Sequence, residues 1–431
     1  MSTGTIIVWV LVGSTLQQAG AAETGGRSRY GIVEVARKWQ LLRDGQPFYI
    51  KGAVGWEHFD VLRECGGNSV RTRASKRQLD RAQKYGLVAM AGLPVRGERN
   101  GMNWDDEGMV AEQRQRVLRA VEELKGHPAL MLWAVGNELD WIPPGRPHSP
   151  RLWERLNELA VEIRKIDPDH PVLTVVGTGR FERKIQEMAK QCSGFDLLGI
   201  NTYGDIDEVV GLAAKYWPKP FVIAEWGPTG HWQVPKTKWR VPIEQSSTEK
   251  ARAVFDRYTT VIQPNRDRCL GSYVFLWGQK QETTHTWYGM FRDGMRTESV
   301  DVMQCLWTGS WPQNRAPAVL ELSIEGFAAE RQIYLEPGKT YSASVACYDS
   351  DYDELTFAWD IRPEVEIPAN SYAGGGEKPA KPIPGLIADG HGPRVNFTAP
   401  SKDGPYRLFV QIRDGRGHAG YGNVAFYVRS W

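Results

Sequence analysis

A chain of 431 residues with 53 basic and 51 acidic side chains has a formal charge of +2, which excludes the strong field that recruits nucleic acid or an anionic membrane surface. The five cysteines, Cys65, Cys192, Cys269, Cys305 and Cys347, are dispersed and none stands at metal-ligand spacing from another, so they imply no metal centre and leave the redox compartment open. The 17 Trp and 16 Tyr are more informative: flat rings with a polar handle can stack on the C–H faces of sugars, although most such rings belong to ordinary cores.

The chain starts with an apolar run, Ile6 to Val12, followed by the small residues Ala19-Gly20-Ala21. This order predicts a secretory signal over residues 1–21 cut after Ala21, hence a secreted or periplasmic protein. No Lys or Arg precedes Arg27, so export rests on this run alone. No later stretch is apolar for long enough to span a bilayer, and no integral membrane association is expected. Tyr30 to Gln46, with the turn signal Asp44-Gly45, reads as a small hairpin.

From Phe48 onward, short β-rich runs alternate with amphipathic segments, the pattern of parallel strands joined by crossover helices. Eight strands are predicted: Phe48–Val54, Asn68–Thr72, Leu87–Ala91, Leu130–Val135, Val172–Val176, Phe195–Ile200, Phe221–Ala224 and Gly271–Leu276. Helices are expected over Lys76–Tyr85, Glu107–Leu124, Leu152–Ile166, Arg180–Gln191, Ile206–Tyr216 and Thr248–Ile262, and near Glu298–Leu306, with a short crossover around Phe59–Cys65. Eight such units match a closed (β/α)8 TIM barrel better than an open doubly wound sheet, so the fold class is α/β with a barrel over residues 30–311.

After Trp311 the texture changes. Asn314 to Ala318 reads as a linker, and β runs at Leu320–Ile324, Tyr341–Cys347, Leu355–Ile361, Tyr406–Arg413 and Asn423–Val428, without a long helix, predict a C-terminal β-sandwich over residues 318–431. The Gly/Pro/Lys-rich insertion Ser371 to Pro384 reads as a loop within it.

In a barrel the chemistry lies at the carboxyl ends of the strands. The fourth strand exits through Trp133-Ala134-Val135-Gly136-Asn137-Glu138 and the seventh through Ile223-Ala224-Glu225-Trp226-Gly227. Strands four and seven face each other across the mouth, so the two carboxyls can flank one glycosidic bond. Double displacement needs such a pair about 5 Å apart, one attacking the anomeric carbon and one protonating the departing oxygen. A lone strand-end Glu is more often a solvated loop residue or an ion-pair partner; two at these particular strands are not.

These two stretches resemble the barrels of glycoside hydrolase clan A, particularly families 2 and 5, over about Tyr30 to Thr308. The resemblance implies a retaining β-glycoside hydrolase with Glu138 as acid/base and Glu225 as nucleophile. It also implies that Arg71, in Asn68-Ser69-Val70-Arg71, supports the nucleophile and that Asn137 hydrogen-bonds the sugar 2-hydroxyl. Tyr203 would orient Glu225 or contact the sugar, and Trp277 would be the aromatic floor under the cleaved sugar. Trp56, Trp104, Trp141, Trp226, Trp232 and Trp239 all fall on expected mouth loops, as subsite rings or as structural filler.

The partner implied is a carbohydrate, a neutral β-linked oligo- or polysaccharide, and no metal or organic cofactor is called for. The long loop from Trp226 to Ser247 either walls the cleft or leaves a groove. Two alternatives stay open: a transglycosylase, which would make longer products from a single donor, and an inactive carbohydrate-binding barrel, against which stand the two glutamates. The stretch Asp349-Ser350-Asp351-Tyr352-Asp353-Glu354 before Leu355-Thr356-Phe357-Ala358-Trp359 resembles the aspartate-rich turn of polycystic-kidney-disease-like immunoglobulin folds. Such a turn is either solvated or a calcium ligand set, and the domain is expected to brace the barrel.

Overall fold

The computed structural model describes residues 28–141, 149–365 and 377–430, so the expected signal segment and residues 371–376 of the loop insertion lie outside the described residues. A small antiparallel sheet, Tyr30–Val35, Lys38–Arg43 and Gln46–Pro47, precedes the barrel. Its two turns are made by Ala36-Arg37 and by Asp44-Gly45, all four at positive φ.

Eight parallel strands then close on themselves: β1 (Ile50–Gly55), β2 (Ser69–Arg73), β3 (Val88–Leu93), β4 (Leu130–Asn137), β5 (Val172–Val176), β6 (Leu197–Asn201), β7 (Phe221–Trp226) and β8 (Cys269–Trp277). The TIM barrel expected from the alternating pattern is therefore present. The helices are α1 (Phe59–Glu64), α2 (Lys76–Lys84), α3 (Glu107–Leu124), α4 (Leu152–Ile166), α5 (Phe181–Gln191), α6 (Ile206–Tyr216), α7 (Ser247–Arg257) and α8 (Glu298–Thr308). α7 starts in a capping box, Ser246 with Glu249, and its last turn runs on as a π turn over Tyr258–Ile262.

Alternation along the strands sorts the core into two layers. Met90, Met131, Ala134, Leu173, Val175, Val222, Ala224 and Tyr273 fill the barrel, while Trp133, Val135, Phe221, Ile223, Trp226 and Trp277 pack outward against the helices. No helix among the described residues is long and apolar enough to cross a membrane.

Beyond the barrel, β9 (Ala318–Ile324), β11 (Thr340–Tyr348) and β13 (Arg394–Thr398) form one sheet. β10 (Ile333–Leu335), β15 (Ala419–Val428), β14 (Gly404–Arg413) and β12 (Thr356–Pro363) form a second. They enclose a core of their own, including Val345, Ile361, Phe397, Leu408 and Phe426. β10 and β13, five residues or fewer each, are too short to stand out among the surrounding Pro and Gly. In the acidic turn, ligand atoms of Asp349, Asp351 and Asp353 lie within 4.8 Å of one another. Asp349 Oδ1 accepts the backbone N–H groups of Asp351 and Asp353, at 2.9 and 3.2 Å, and Arg416 sits 3.0 Å from Asp353 Oδ1, while the second oxygens of Asp349 and Asp353 are buried without a hydrogen-bond partner among the described residues.

Barrel and sandwich meet through buried polar groups. Thr248 on α7 accepts the N–H of Val319 at 2.7 Å and donates to Glu298 on α8. Asp301 accepts the N–H of Ala316 at 2.7 Å. Burial pushes the Glu298 and Asp301 carboxyls each up to about 7. Both therefore hold a proton in the fold over a range where the unfolded chain has released it, so stability is lost as pH rises from the ordinary carboxylate range through about 7. The thermal midpoint is expected to fall between about pH 5 and about pH 8, and Glu298→Gln to flatten that fall. An equally steep fall in the variant would show that Glu298 is already ionised in the folded protein.

Candidate active site

Strict alternation would point neither Asn137 nor Glu225 at the barrel mouth. On β7, Val222 and Ala224 face inward and Phe221 and Ile223 outward, so the next residue should also face outward. Register breaks on both sides of the strand, against β6 and β8, shift the end of β7 by one position. Glu225 thereby turns to the mouth and Trp226 takes the outward position. This is the re-aiming effect of a β-bulge.

β4 ends in the same way. Its pairing with β5 breaks between Ala134 and Asn137, and Gly136 and Glu138 have φ of 77 and 48 degrees. The two left-handed residues let consecutive side chains, Asn137 and Glu138, face the mouth together. Any other residue at position 136 would be strained by its positive φ, and its Cβ, within 2.4 Å of the Leu139 side chain, would force that side chain to shift.

Arg71, from β2, holds the cluster together. Its Nη1 lies 2.8 Å from Glu225 Oε1, 2.9 Å from the Ala224 carbonyl and 3.1 Å from Asn201 Oδ1, while its Nη2 donates to Asn137 Oδ1 at 2.6 Å. Asn201, the last residue of β6, then bridges to the other carboxylate: its Nδ2 donates to Asn137 Oδ1 at 3.0 Å and to Glu138 Oε1 at 2.8 Å. Tyr203 donates its hydroxyl to Glu225 Oε2 at 3.1 Å. Arg99 approaches Glu138 Oε2 at 3.7 Å and donates to the Asn137 carbonyl at 3.0 Å.

The two glutamates sit in different surroundings. The Glu225 side chain is 15% exposed and that of Glu138 27%. Burial pushes the Glu225 carboxyl up; Arg71 opposes this, Glu138 adds to it, and the Tyr203 hydroxyl opposes it again, with a net rise. Burial and the Glu225 charge hold the Tyr203 hydroxyl protonated far above its ordinary range, so it can only donate to the carboxylate.

Five of the six residues singled out in the sequence, Arg71, Asn137, Glu138, Tyr203 and Glu225, thus converge in one hydrogen-bonded cluster. Trp277 does not join them. It is 1% exposed, packs on Phe291 and Trp307 in the helix layer and donates its indole N–H to the His58 carbonyl at 2.9 Å. It offers no stacking face, because the pairing of β8 with β1 breaks between Val274 and Trp277, which sends position 277 outward where alternation would have kept it on the side of Phe275. Phe275, two residues earlier and partly exposed, stands at the mouth instead, 6.2 Å from the Tyr203 ring and 5.4 Å from that of Tyr288.

The mouth-loop tryptophans divide similarly. Trp104 and Trp226 are buried, and Trp239 packs against Tyr334 and Tyr427 of the sandwich. Trp56, Trp141 and Trp232 remain 47%, 40% and 51% exposed, and Trp232 stands edge-on to Tyr203 at 5.6 Å. Asn201, Arg99 and Phe275 were not legible beforehand; for Asn201 the signal was its place at a strand end, in Asn201-Thr202-Tyr203.

Residues 43–298 match the family described as "Glycosyl hydrolases family 2, TIM barrel domain". A β-glucuronidase of Mus musculus is 24% identical over 274 residues, 55% of this chain and 39% of that protein. One of Rattus norvegicus is 25% identical over 232 residues, covering 46% and 34%. The chain spans well under half the length of these curated relatives. Among solved structures, the apo form of Bacteroides uniformis β-glucuronidase 3 is similar with a TM-score of 0.49 and 15% identity, over 93% of this chain and 52% of that one.

Proposed function

As the chain belongs to glycosyl hydrolase family 2 through its TIM barrel domain, we propose that it is a retaining β-glycoside hydrolase in which Glu225 attacks the anomeric carbon while Glu138 protonates the departing oxygen. The observation that carries this reading is the pair of glutamates at the ends of β4 and β7, cross-linked through Arg71, Asn137 and Asn201. Arg71 and Tyr203 each contact one oxygen of Glu225, which orients its lone pairs and favours the ionised form needed for attack. Glu138, more exposed, then takes a proton from the incoming water.

The proposed substrate is a neutral β-linked oligo- or polysaccharide. The cations nearest the pair are each set against a carboxylate: Arg71 against Glu225 at 2.8 Å, Arg99 against Glu138 at 3.7 Å and Lys280 against Glu282 at 2.6 Å. The exposed faces of Trp56, Trp141 and Trp232 supply apolar platforms for sugar rings. The names of the curated relatives favour a second reading, a β-glucuronide. A panel of neutral and acidic β-glycans, with product lengths and anomeric configuration followed over time, separates the two. Cleavage restricted to acidic substrates would defeat the neutral reading, inverted products the stereochemistry, and early longer products would move the function to transfer. We also propose export of the chain on the strength of its apolar leader, for which a mature N-terminus following Ala21 is the test.

Because Glu225 must be ionised to attack and its carboxyl is pushed up, the acid limb of kcat/KM is expected above the ordinary carboxylate range. Tyr203→Phe removes a hydrogen bond that favours the carboxylate and should move that limb further up. A limb that stays in place or moves down would show that Tyr203 does not govern the ionisation of Glu225.

A further inference from the structure

Behind the catalytic cluster, a second polar network is buried between barrel and sandwich. Its centre is Glu244, in the loop between β7 and α7, whose side chain has no exposed surface. Oε1 accepts from Lys250 Nζ of α7 at 2.5 Å and from Thr286 Oγ1 at 2.8 Å. Oε2 accepts from Thr284 Oγ1 at 2.7 Å and from Asn423 Nδ2 of β15 at 2.9 Å. Burial alone would push this carboxyl up; the Lys250 and Arg407 charges outweigh it and hold it down, so it is an anion fully enclosed by donors.

Sandwich side chains complete the enclosure. Arg407 of β14 donates to Asn423 Oδ1 at 2.6 Å, to Glu364 at 2.8 Å and to the Pro242 carbonyl at 2.9 Å. Lys250 also donates to the Thr286 carbonyl at 2.8 Å, and the His285 ring lies 4.6 Å from that of Phe409. Thr284 and Thr286 belong to the loop that follows β8, so this loop is fastened to the second domain by its side chains.

The same loop continues directly into the active site. Trp287 donates its indole N–H to the Thr229 carbonyl at 3.1 Å, the Tyr288 carbonyl accepts the Leu276 N–H at 3.0 Å, and the Tyr288 ring packs 5.3 Å from that of Tyr203. Tyr203 in turn holds Glu225. A single residue, Trp287, separates Thr286, bonded to Glu244, from Tyr288, packed on the tyrosine that orients the nucleophile.

We propose that Glu244 is a positioning residue: by clamping the loop after β8 to the sandwich, it sets Tyr288 against Tyr203 and thereby fixes the placement of Glu225. The second domain is then part of the machinery that aims the nucleophile. This inference rests on the reading of Glu225 as nucleophile, and its test separates the two. Glu244, Lys250, Thr284, Thr286 and Asn423 are all buried between the two domains, so loss of the clamp should slow attack rather than weaken binding.

The probe is a dinitrophenyl β-glycoside carrying fluorine beside the anomeric carbon, used as glucoside, galactoside and glucuronide in parallel. A Glu225 oxygen bonds to the anomeric carbon, the bond to the phenolic oxygen breaks, dinitrophenolate leaves with the electron pair, and the fluorine slows release of the sugar. Mass spectrometry of the full chain should find one sugar, on the peptide containing Glu225. In Glu244→Gln the labelling rate should fall by about tenfold or more at saturating probe, with the half-saturating concentration moved by less than about threefold. The acid limb of that rate should move up as the Tyr203 contact loosens. Thr286→Val, which breaks one arm of the clamp and leaves Lys250 paired, should do the same to a smaller extent, and decides the matter alone if the Glu244 variant does not fold.

In a Tyr203→Phe background Glu244→Gln should add little, because both act through one contact. A folded Glu244→Gln with unchanged labelling rate and pH limb, or effects that add to those of Tyr203→Phe, would overturn the positioning role while Glu225 remains the nucleophile. An unlabelled parent chain would overturn the reading of Glu225 and this inference with it.

Discussion

Glu225→Gln is expected to lower turnover of a β-glycoside by roughly three orders of magnitude or more, with little loss of thermal stability. The amide keeps the shape of the carboxyl but removes the charge proposed to attack, so under that proposal the glycosyl-enzyme bond cannot form. Stability should survive for an identifiable reason. Burial opposes the Glu225 charge, so neutralising it relieves a desolvation cost. Arg71 keeps three further acceptors, at Asn201, Ala224 and Asn137. A thermal midpoint at or above that of the parent, combined with lost turnover, is the signature of a charge kept for function at the expense of the fold. Near-parental turnover by the purified variant would remove Glu225 from its role; lost turnover with a collapsed midpoint would show that the residue serves the structure.

How much of this was legible beforehand follows from what one-dimensional patterns carry. The eight strands and their crossovers could be read because an apolar run of five or six residues against an amphipathic helix is a local signal, and β5 falls on the expected Val172–Val176 without adjustment. The two glutamates were legible because a carboxylate directly after a buried strand has no core role. Trp277 was misplaced because its neighbours, read as a continuous strand ending at the mouth, do not reveal which way each side chain points; the structure sends 277 into the helix layer and leaves Phe275 at the mouth. Bulges at the ends of β4 and β7 are invisible for the same reason, since they appear only in pairing with a neighbour.

Glu244 marks the limit more sharply. Nothing around it distinguishes a carboxylate wholly enclosed by Lys250, Thr284, Thr286 and Asn423 from one on a solvated loop. Its partners lie up to 179 positions away, and only the docking of the sandwich brings them together. The loop from Trp226 to Ser247 was legible as long and aromatic, but its attachment was not. Trp239, expected at the mouth, lies against the sandwich, so one part of this loop lines the active site while another anchors it.

Glu138→Ala separates the two carboxylates by chemistry, not merely by loss. The acid/base acts by proton transfer, so its removal should lower turnover by about 10²–10⁴-fold for substrates with a poor leaving group. A dinitrophenyl β-glycoside should lose far less in its first step, because its leaving group departs without a proton. Hydrolysis of the glycosyl-enzyme, for which Glu138 is the proposed base toward water, should then become limiting. The alanine leaves space beside Asn201 Nδ2, a donor that otherwise binds Glu138 Oε1 at 2.8 Å, and Arg99, 3.7 Å from the other oxygen, supplies positive charge there. A small anion suits that space and needs no general base, so azide should restore turnover and yield a β-glycosyl azide, formed on the face opposite Glu225. An α-azide from this variant would exchange the roles of the two glutamates, and equal losses for good and poor leaving groups without azide rescue would show that Glu138 is not the proton donor.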